Sequence, residues 1–151
     1  MITHFLLYLL IIVQGSSHGQ ESFREKQMQY ARVRTAYNEY FTALRSEIDS
    51  MSIGDFDLFL RAFKVEKLVE VWIKDKEAER FHLFRTYDIC SSSGRPGPKR
   101  RSGDFQVPEG FYHINIFNPY SNFYLSLGIN YPNRSDRILG DPDHPDRKSV
   151  V

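Results

Sequence analysis

The spacing of apolar residues changes once along this 151-residue chain, and that change limits the folds available to it. Between Glu21 and about Met51, apolar side chains recur at three, four or seven residues: Phe23, Tyr30, Val33, Tyr37, Phe41, Leu44, Ile48 and Met51. This spacing predicts one amphipathic helix whose apolar face packs in the core. From Leu68 onward, β-branched and aromatic runs are separated by turn residues. The chain is therefore predicted to adopt an α+β fold, a helix followed by a mainly antiparallel β sheet or sandwich.

Several short segments after the helix have the character of strands. "LVEVWIK" and "RFHLFRTYDI" flank the polar turn "DKEAER" and predict a β-hairpin. "FQVPEGFYHINIF" predicts a turn at Pro108, Glu109 and Gly110 followed by a strand from Phe111, and "FYLSLGINYP" predicts another strand with a break at Gly128. The segment Asp55–Lys67 predicts either a short helix capped by Asp55 or the first strand. The last stretch, "NRSDRILGDPDHPDRKSVV", is polar and turn-rich, with no regular element expected beyond "RILG".

The first residues indicate export. Nine apolar residues, Phe5 to Val13, are followed by Gly15, Ser16 and Ser17. Such a run is too short to cross a bilayer as a helix, but it matches the core of a secretory signal peptide. Residues 1–19 are therefore predicted to be a signal peptide, with no integral membrane segment after cleavage. The alternatives are a short uncleaved anchor and a buried strand.

The charge balance argues against a nucleic-acid partner. The chain has 20 basic and 19 acidic residues, so no overall field attracts polyanions. The basic stretch "GRPGPKRR" leads into a strand, whereas a phosphate-binding P-loop leads into a helix. This stretch is predicted to be a solvated loop.

No cofactor or metal site is expected. The chain has one cysteine and no HExxH spacing. The acidic loop with Asp141, Asp143, His144 and Asp146 is predicted to be solvated, with a bound cation as the alternative. The single cysteine, Cys90, is predicted to be a small buried apolar residue. An intermolecular disulfide and a nucleophile paired with His82 or His113 stay open.

The order of motifs in the second half is more informative than any single residue. "LVEVWIKDKEAERFHLFRTYDIC" precedes "GRPGPKRRSGDFQVPEGFYHI" and "NPYSNFYLSLGINYPNRSDR". The most specific part is G-P-K, then G-D, then P-E-G-x-Y: Gly97, Pro98, Lys99; Gly103, Asp104; Pro108, Glu109, Gly110 and Tyr112. Over roughly residues 60–145, this pattern resembles the L,D-transpeptidase catalytic domain of bacterial cell-wall enzymes, in particular the murein L,D-transpeptidases of Gram-negative envelopes.

The resemblance implies a mostly β enzyme of the periplasm that needs no cofactor. Such enzymes attack a donor stem peptide with a cysteine thiolate and pass the acyl group from a thioester to an amine or water. Their nucleophile lies in a motif like H-G-x-x-x-[ST]-x-G-C, which these 151 residues do not contain. Cys90 precedes the G-P-K motif and does not match the catalytic position. The chain is therefore expected to be a family member truncated before its catalytic centre, by frameshift or early stop, and inactive as given.

The resemblance suggests a division of the chain and a set of groove residues. Residues 1–19 are the expected signal peptide, 20–59 a helical segment and 60–151 an incomplete catalytic domain. The polar and aromatic side chains expected to line a groove for peptidoglycan stem peptides are Tyr112, His113, Asn118, Ser121, Tyr124, Tyr131 and Asn133. A noncatalytic exported peptidoglycan-binding protein and a Cys90-dependent hydrolase are the alternatives. The acceptor is left open by the sequence.

Overall fold

A computed structural model describes residues 22–146, which form two helices, a three-stranded sheet, a two-stranded sheet and a short helix, in that order. This arrangement confirms the predicted α+β fold. The expected signal peptide and residues 147–151 lie outside the described residues. Between residues 22 and 146, no helix is long and apolar enough to span a bilayer. The expected domain boundaries and the truncation stay predictions.

The N-terminal helix is divided in two, where the sequence predicted one helix. Helix α1 is Phe23–Met28 and helix α2 is Ala31–Ser50. Ser22 caps α1 in a capping box with Glu25. Tyr30 is extended (φ −88°, ψ 128°), and its ring meets the Tyr120 ring edge-on at 5.2 Å. Arg34 donates to the carbonyl oxygens of residues 28 and 29, which lie at the end of α1, so the break is both packed and hydrogen-bonded.

Helix α2 connects the two sheets through its buried face. Its 20 residues span about 30 Å. Near its start, Val33 and Ala36 pack with Leu125, beside the two-stranded sheet. Near its end, Leu44 and Ile48 join the core of the three-stranded sheet. One helix face therefore supports both sheets.

The predicted apolar stripe is largely confirmed. Its buried members are Val33, Leu44 and Ile48, and its partly buried members packed on the two core clusters are Phe23, Tyr30, Tyr37 and Phe41. Met51 is 40% exposed, so including it was wrong. It lies just after α2, where the helical periodicity no longer applies.

The three-stranded sheet has strands β1 (Phe56–Phe63), β2 (Leu68–Asp75) and β3 (His82–Asp88) in sequence order, all antiparallel. The predicted hairpin corresponds to β2 and β3. The segment Asp55–Lys67 contains a strand and not a short helix, and the expected boundary at residues 59 and 60 falls inside β1. A register shift lies between Val71 and Trp72.

The two-stranded sheet is the hairpin of β4 (Ile114–Asn118) and β5 (Ser126–Ile129). The sequence predicted that the first of these strands would begin near Phe111, after a turn at Pro108, Glu109 and Gly110. Residues 105–113 are instead irregular. The His113 carbonyl oxygen still accepts from the Asn130 N–H at 3.0 Å, but the His113 N–H donates to the Asn130 side chain at 2.7 Å, so a side chain takes over one of the two pairing bonds. This irregular segment supplies Glu109, Gly110, Phe111 and Tyr112 to the candidate site.

A short third helix follows the hairpin, in a stretch expected to have no helix beyond "RILG". Helix α3 is Arg134–Leu139. Asn133 caps it, since its side chain accepts from the Asp136 N–H at 3.1 Å while the Asp136 carboxylate accepts from the Asn133 N–H at 2.8 Å. The spacing Asn-x-x-Asp is a variant of the capping-box pattern and was the signal that the sequence offered.

Candidate functional site

The seven predicted groove residues are divided between the two ends of the β4–β5 hairpin. Asn118, Ser121 and Tyr124 belong to the closed end, at the turn. Tyr112, His113, Tyr131 and Asn133 flank the open end. Because β4 has five residues, the two ends lie about 13 Å apart. The structure therefore does not bring all seven residues into one site.

At the closed end, the polar groups bond within the protein. Asn118 Oδ1 accepts from the Tyr120 N–H at 2.9 Å, and Ser121 Oγ accepts from the Phe123 N–H at 3.1 Å. Arg32 from α2 donates to the carbonyl oxygens of residues 121 and 124 and lies over the Tyr124 ring. These contacts fasten the turn to the helix and give its polar residues a structural role.

At the open end, Tyr112 and Asn133 line a pocket of about 230 Å³. The other residues that line it are Pro98, Arg100, Glu109, Gly110, Phe111, Ser135, Asp136 and Leu139. The walls come from the G-P-K loop, the P-E-G-x-Y segment and α3. The motif residues that carried the family resemblance thus meet the capped helix in one place.

The Tyr112 side chain is held against α3. Its hydroxyl donates to Asp136 Oδ1 at 2.9 Å, and its ring packs edge-on to the Tyr131 ring at 6.2 Å. Burial and the hydrogen bond to Asp136 raise the pKa of Tyr112 well above its ordinary value. Tyr112 therefore stays protonated at neutral pH, which makes it a donor and not a base.

Tyr131, Asn133 and His113 surround this contact in different ways. Tyr131 is only 3% exposed, so it supports the pocket from behind. Asn133 Nδ2 donates to the Phe111 carbonyl oxygen at 3.1 Å, and this bond ties the cap of α3 to the P-E-G-x-Y segment. The His113 side chain is exposed and does not line the pocket.

The P-E-G-x-Y segment is anchored to the three-stranded sheet by Lys64, the residue after β1. Its Nζ donates to the carbonyl oxygens of Gly97 and Val107 at 2.7 and 3.0 Å and to Glu109 Oε1 at 2.9 Å. The same Glu109 oxygen accepts from the Gly97 N–H at 3.0 Å. The hydrogen bond from Lys64, the largest effect, lowers the pKa of Glu109, which stays ionised at neutral pH.

The G-P-K loop is not wholly solvated, which corrects the sequence prediction. Lys99 is 11% exposed, and its Nζ contacts Asp104 Oδ1 at 2.6 Å and Asp146 Oδ2 at 3.1 Å. Asp104 also accepts from the N–H groups of Arg100, Arg101 and Gln106. The family-like order G-P-K then G-D was not needed to find this pair. A lysine and an aspartate five residues apart in a glycine-rich loop were already visible, but their burial was not.

Burial and hydrogen bonding act in opposite directions on this ion pair. Burial alone raises the pKa of Asp104, but the bonds from Lys99 and three backbone N–H groups outweigh it and hold that pKa well below its ordinary value. Burial likewise lowers the pKa of Lys99, but the bonds to Asp104 and Asp146 outweigh it and raise that pKa. Both groups are charged at neutral pH, so the loop that carries Arg100 is fixed by a charged contact.

The remaining candidate groups do not form a second site. Cys90 is exposed, so the prediction of a buried cysteine was wrong; it follows β3, where the apolar run has already ended. In the acidic loop, His144 Nδ1 lies 3.3 Å from Asp141 Oδ2. Across residues 22–146, no three His, Cys, Asp or Glu side chains are grouped so as to hold a metal ion.

Sequence reasoning did not assign the three charged residues of the pocket to a site. Arg100 was noticed only as part of a basic run, Glu109 only as part of a turn and of the P-E-G-x-Y motif, and Asp136 not at all. The Asn133-x-x-Asp136 spacing was the available signal for Asp136. Glu109 is placed by Lys64, 45 residues earlier, and Arg100 is held in part by the distant Asp141 N–H, and spacing alone reveals neither contact.

Comparison with known proteins supports a relationship to L,D-transpeptidases. No family model matches the chain. It is similar to two proteins named "Putative L,D-transpeptidase YafK", from Escherichia coli strain K12 and from Escherichia coli O157:H7. Identity to each is 39% over 85 residues, which is 55% of this chain and 34% of the relative. The chain thus spans about a third of the length of the curated relatives it matches.

Proposed function

We propose that this chain is an L,D-transpeptidase-type protein of the bacterial cell envelope and that its pocket at the open end of the β4–β5 hairpin binds peptidoglycan stem peptides. The single observation that carries this proposal is the convergence of the family-like motifs on one pocket. The G-P-K and P-E-G-x-Y segments both line it. The similarity to the two curated proteins points to the same chemistry.

The reaction implied by the resemblance is acyl transfer. A cysteine thiolate adds to the carbonyl carbon of the L,D peptide bond, the C–N bond breaks, and the leaving amine takes up a proton. The resulting thioester is then attacked by an acceptor amine or by water, which releases the thiolate. These 151 residues contain no H-G-x-x-x-[ST]-x-G-C motif, so we propose that they bind the donor but do not catalyse this transfer by themselves.

Two of the seven predicted residues carry the binding proposal. Tyr112 and Asn133 line the pocket, and their hydrogen bonds to Asp136 and the Phe111 carbonyl fix its shape. The assignments of His113, Asn118, Ser121, Tyr124 and Tyr131 stay predictions. Export to the periplasm through a signal peptide at residues 1–19, and independence from any cofactor, belong to the same proposal.

The test is to incubate the purified 151-residue chain with muropeptides and with intact sacculi. Mass spectrometry is expected to detect no cross-linked or trimmed peptide, while sedimentation with sacculi is expected to be saturable. A product that depends on the chain would contradict the proposed inactivity. Absence of saturable binding would contradict the proposed function as a whole.

The second candidate is a noncatalytic peptidoglycan-binding protein. The observation that favours it is the lack of a family-type nucleophile in the sequence given. It shares the pocket and the expected binding with the first candidate. The two candidates are distinguished by expressing a longer coding region that supplies the motif. Cross-linking of stem peptides by that protein would favour the enzyme family.

The third candidate is a hydrolase that depends on Cys90, whose side chain is exposed. If a product appears with the wild-type chain and disappears with Cys90→Ser, a Cys90-dependent hydrolase replaces both proposals. We expect Cys90→Ser to bind sacculi like the wild type, because Cys90 does not line the pocket.

A further inference from the structure

Arg100 is the cationic side chain that lines the pocket. Its backbone is fixed on both sides, since its N–H donates to Asp104 Oδ2 at 2.8 Å and its carbonyl oxygen accepts from the Asp141 N–H at 2.8 Å. Within residues 22–146, the guanidinium makes no hydrogen bond or ion pair, although its charge contributes to lowering the pKa of the neighbouring Glu109. The structure thus places a fixed residue with an available charged head at the pocket.

The two carboxylates that line the same pocket already have partners. Glu109 pairs with Lys64 and accepts from the Gly97 N–H. Asp136 accepts from the Tyr112 hydroxyl and the Asn133 N–H. Their lone pairs are used to hold the walls, whereas the five donors of a guanidinium remain to be satisfied by water or a ligand.

Much of the remaining wall is apolar and exposed, beside the polar Ser135. Phe111 is 89% exposed and Leu139 57% exposed, and Pro98 lies beside them in the lining. A guanidinium next to apolar surface suits an anion attached to a small apolar group. The volume of about 230 Å³ exceeds the roughly 150 Å³ of a cavity that binds benzene, so a short peptide end is of suitable size.

We propose that this pocket is a subsite for a peptide carboxylate, which the Arg100 guanidinium binds by a bidentate, charge-assisted hydrogen bond. A carboxylate fits better than a phosphate because Glu109 and Asp136 lie nearby, and a monoanion is repelled less by them than a dianion. The carboxylate chemistry rests on the pocket alone. The identity of the peptide as a stem peptide rests on the proposed function.

The experiment measures binding of a synthetic stem tetrapeptide by isothermal titration calorimetry. Three forms of the peptide are compared: all carboxylates free, the C-terminal carboxylate amidated, and the side-chain carboxylates amidated. Each is titrated into the wild-type chain, Arg100→Gln and the matched control Arg101→Gln. Arg101 loses the same charge one residue away, is exposed and does not line the pocket.

We expect Arg100→Gln to weaken binding of the free peptide about tenfold, while Arg101→Gln changes it less than about twofold. One amidated peptide should bind the wild type as weakly as the free peptide binds Arg100→Gln. Whichever amidation causes this loss identifies the C-terminal or the side-chain carboxylate as the group bound. In Arg100→Gln, that same amidation should cause no additional loss of affinity, because the cation that binds the carboxylate is gone.

Equal binding by the wild type and Arg100→Gln, or insensitivity to both amidations, would overturn the subsite while leaving stem-peptide binding intact. Displacement of the peptide by inorganic phosphate at concentrations where acetate has no effect would identify a phosphate site and also overturn it. If the wild type binds no form of the peptide, both the subsite and the proposed function fail.

Discussion

The side chains that shape the pocket are held by contacts between residues far apart in sequence. Tyr112 bonds Asp136 across 24 positions, and Lys64 bonds Glu109 across 45. The sequence identified Tyr112 and Asn133 as candidates because they are polar or aromatic and lie near the family-like motifs. It did not separate them from Ser121 and Tyr124, whose polar groups serve the opposite turn.

Replacing Tyr112 with phenylalanine tests whether its hydroxyl holds α3. The change leaves Asp136 Oδ1 without its donor at a partly buried position. We expect the free energy of unfolding in urea to fall by about 1 kcal/mol. Tyr120→Phe is the matched control, because Tyr120 is 74% exposed, and it should unfold like the wild type. Equal stability of both variants would show that the Tyr112–Asp136 bond contributes nothing.

Acid should weaken the protein through Asp104. Its folded-state pKa lies below its unfolded value of about 3.9, so its stabilisation is fully present above that pH and is lost as the pH falls further. The pH dependence of the Lys99 contribution has the opposite sign. Its folded-state pKa lies above its unfolded value of about 10.4, so its stabilisation is fully present below that pH and is lost as the pH rises further. Neither contribution changes between about pH 5 and 9.

The measurement is the free energy of unfolding between pH 2 and pH 7 for the wild type and Asp104→Asn. The variant should be about 2 kcal/mol less stable at pH 7, with a shallower decline in acid. Asp143→Asn, at an exposed position, serves as the control and should follow the wild-type curve. Parallel curves for the wild type and Asp104→Asn would contradict the assigned role of Asp104.

At the scale of elements, periodicity was a good guide where one face of an element is buried. The α2 stripe and the β2–β3 hairpin followed from it. It was a poor guide where side chains replace backbone pairing. The extended Tyr30, whose ring packs on Tyr120, interrupts the helix. In the irregular segment 105–113, the His113 N–H bonds a side chain. Helix α3 forms around a capping box in a polar stretch.

Close packing across the β4–β5 hairpin gives an element-scale prediction. A Cβ at Gly128 would lie 2.8 Å from Ile116 Cβ, so Gly128→Ala must displace one strand. We expect a loss of about 1 to 3 kcal/mol in the free energy of unfolding. Gly54→Ala is the matched control, because a Cβ there meets no atom within 4 Å. A Gly128→Ala protein as stable as Gly54→Ala would contradict the described β4–β5 packing.

At the scale of the molecule, the pocket depends on both sheets. Helix α2 packs on both sheets. Lys64 connects the end of β1 to the G-P-K and P-E-G-x-Y segments, and Asn133 connects α3 to the P-E-G-x-Y segment. The α+β class was predictable from the change in periodicity. The position of the pocket was not, since it depends on how segments from three regions of the chain meet.

The central claim is that stem peptides bind at the open end of the β4–β5 hairpin, and the most direct measurement is a nuclear magnetic resonance titration of the ¹⁵N-labelled chain with a synthetic stem tetrapeptide. The account predicts saturable shifts of backbone amides at residues 97–101, 109–112 and 133–139, with little change at residues 118–124. Shifts confined to residues 118–124, or no saturable shifts at all, would contradict it.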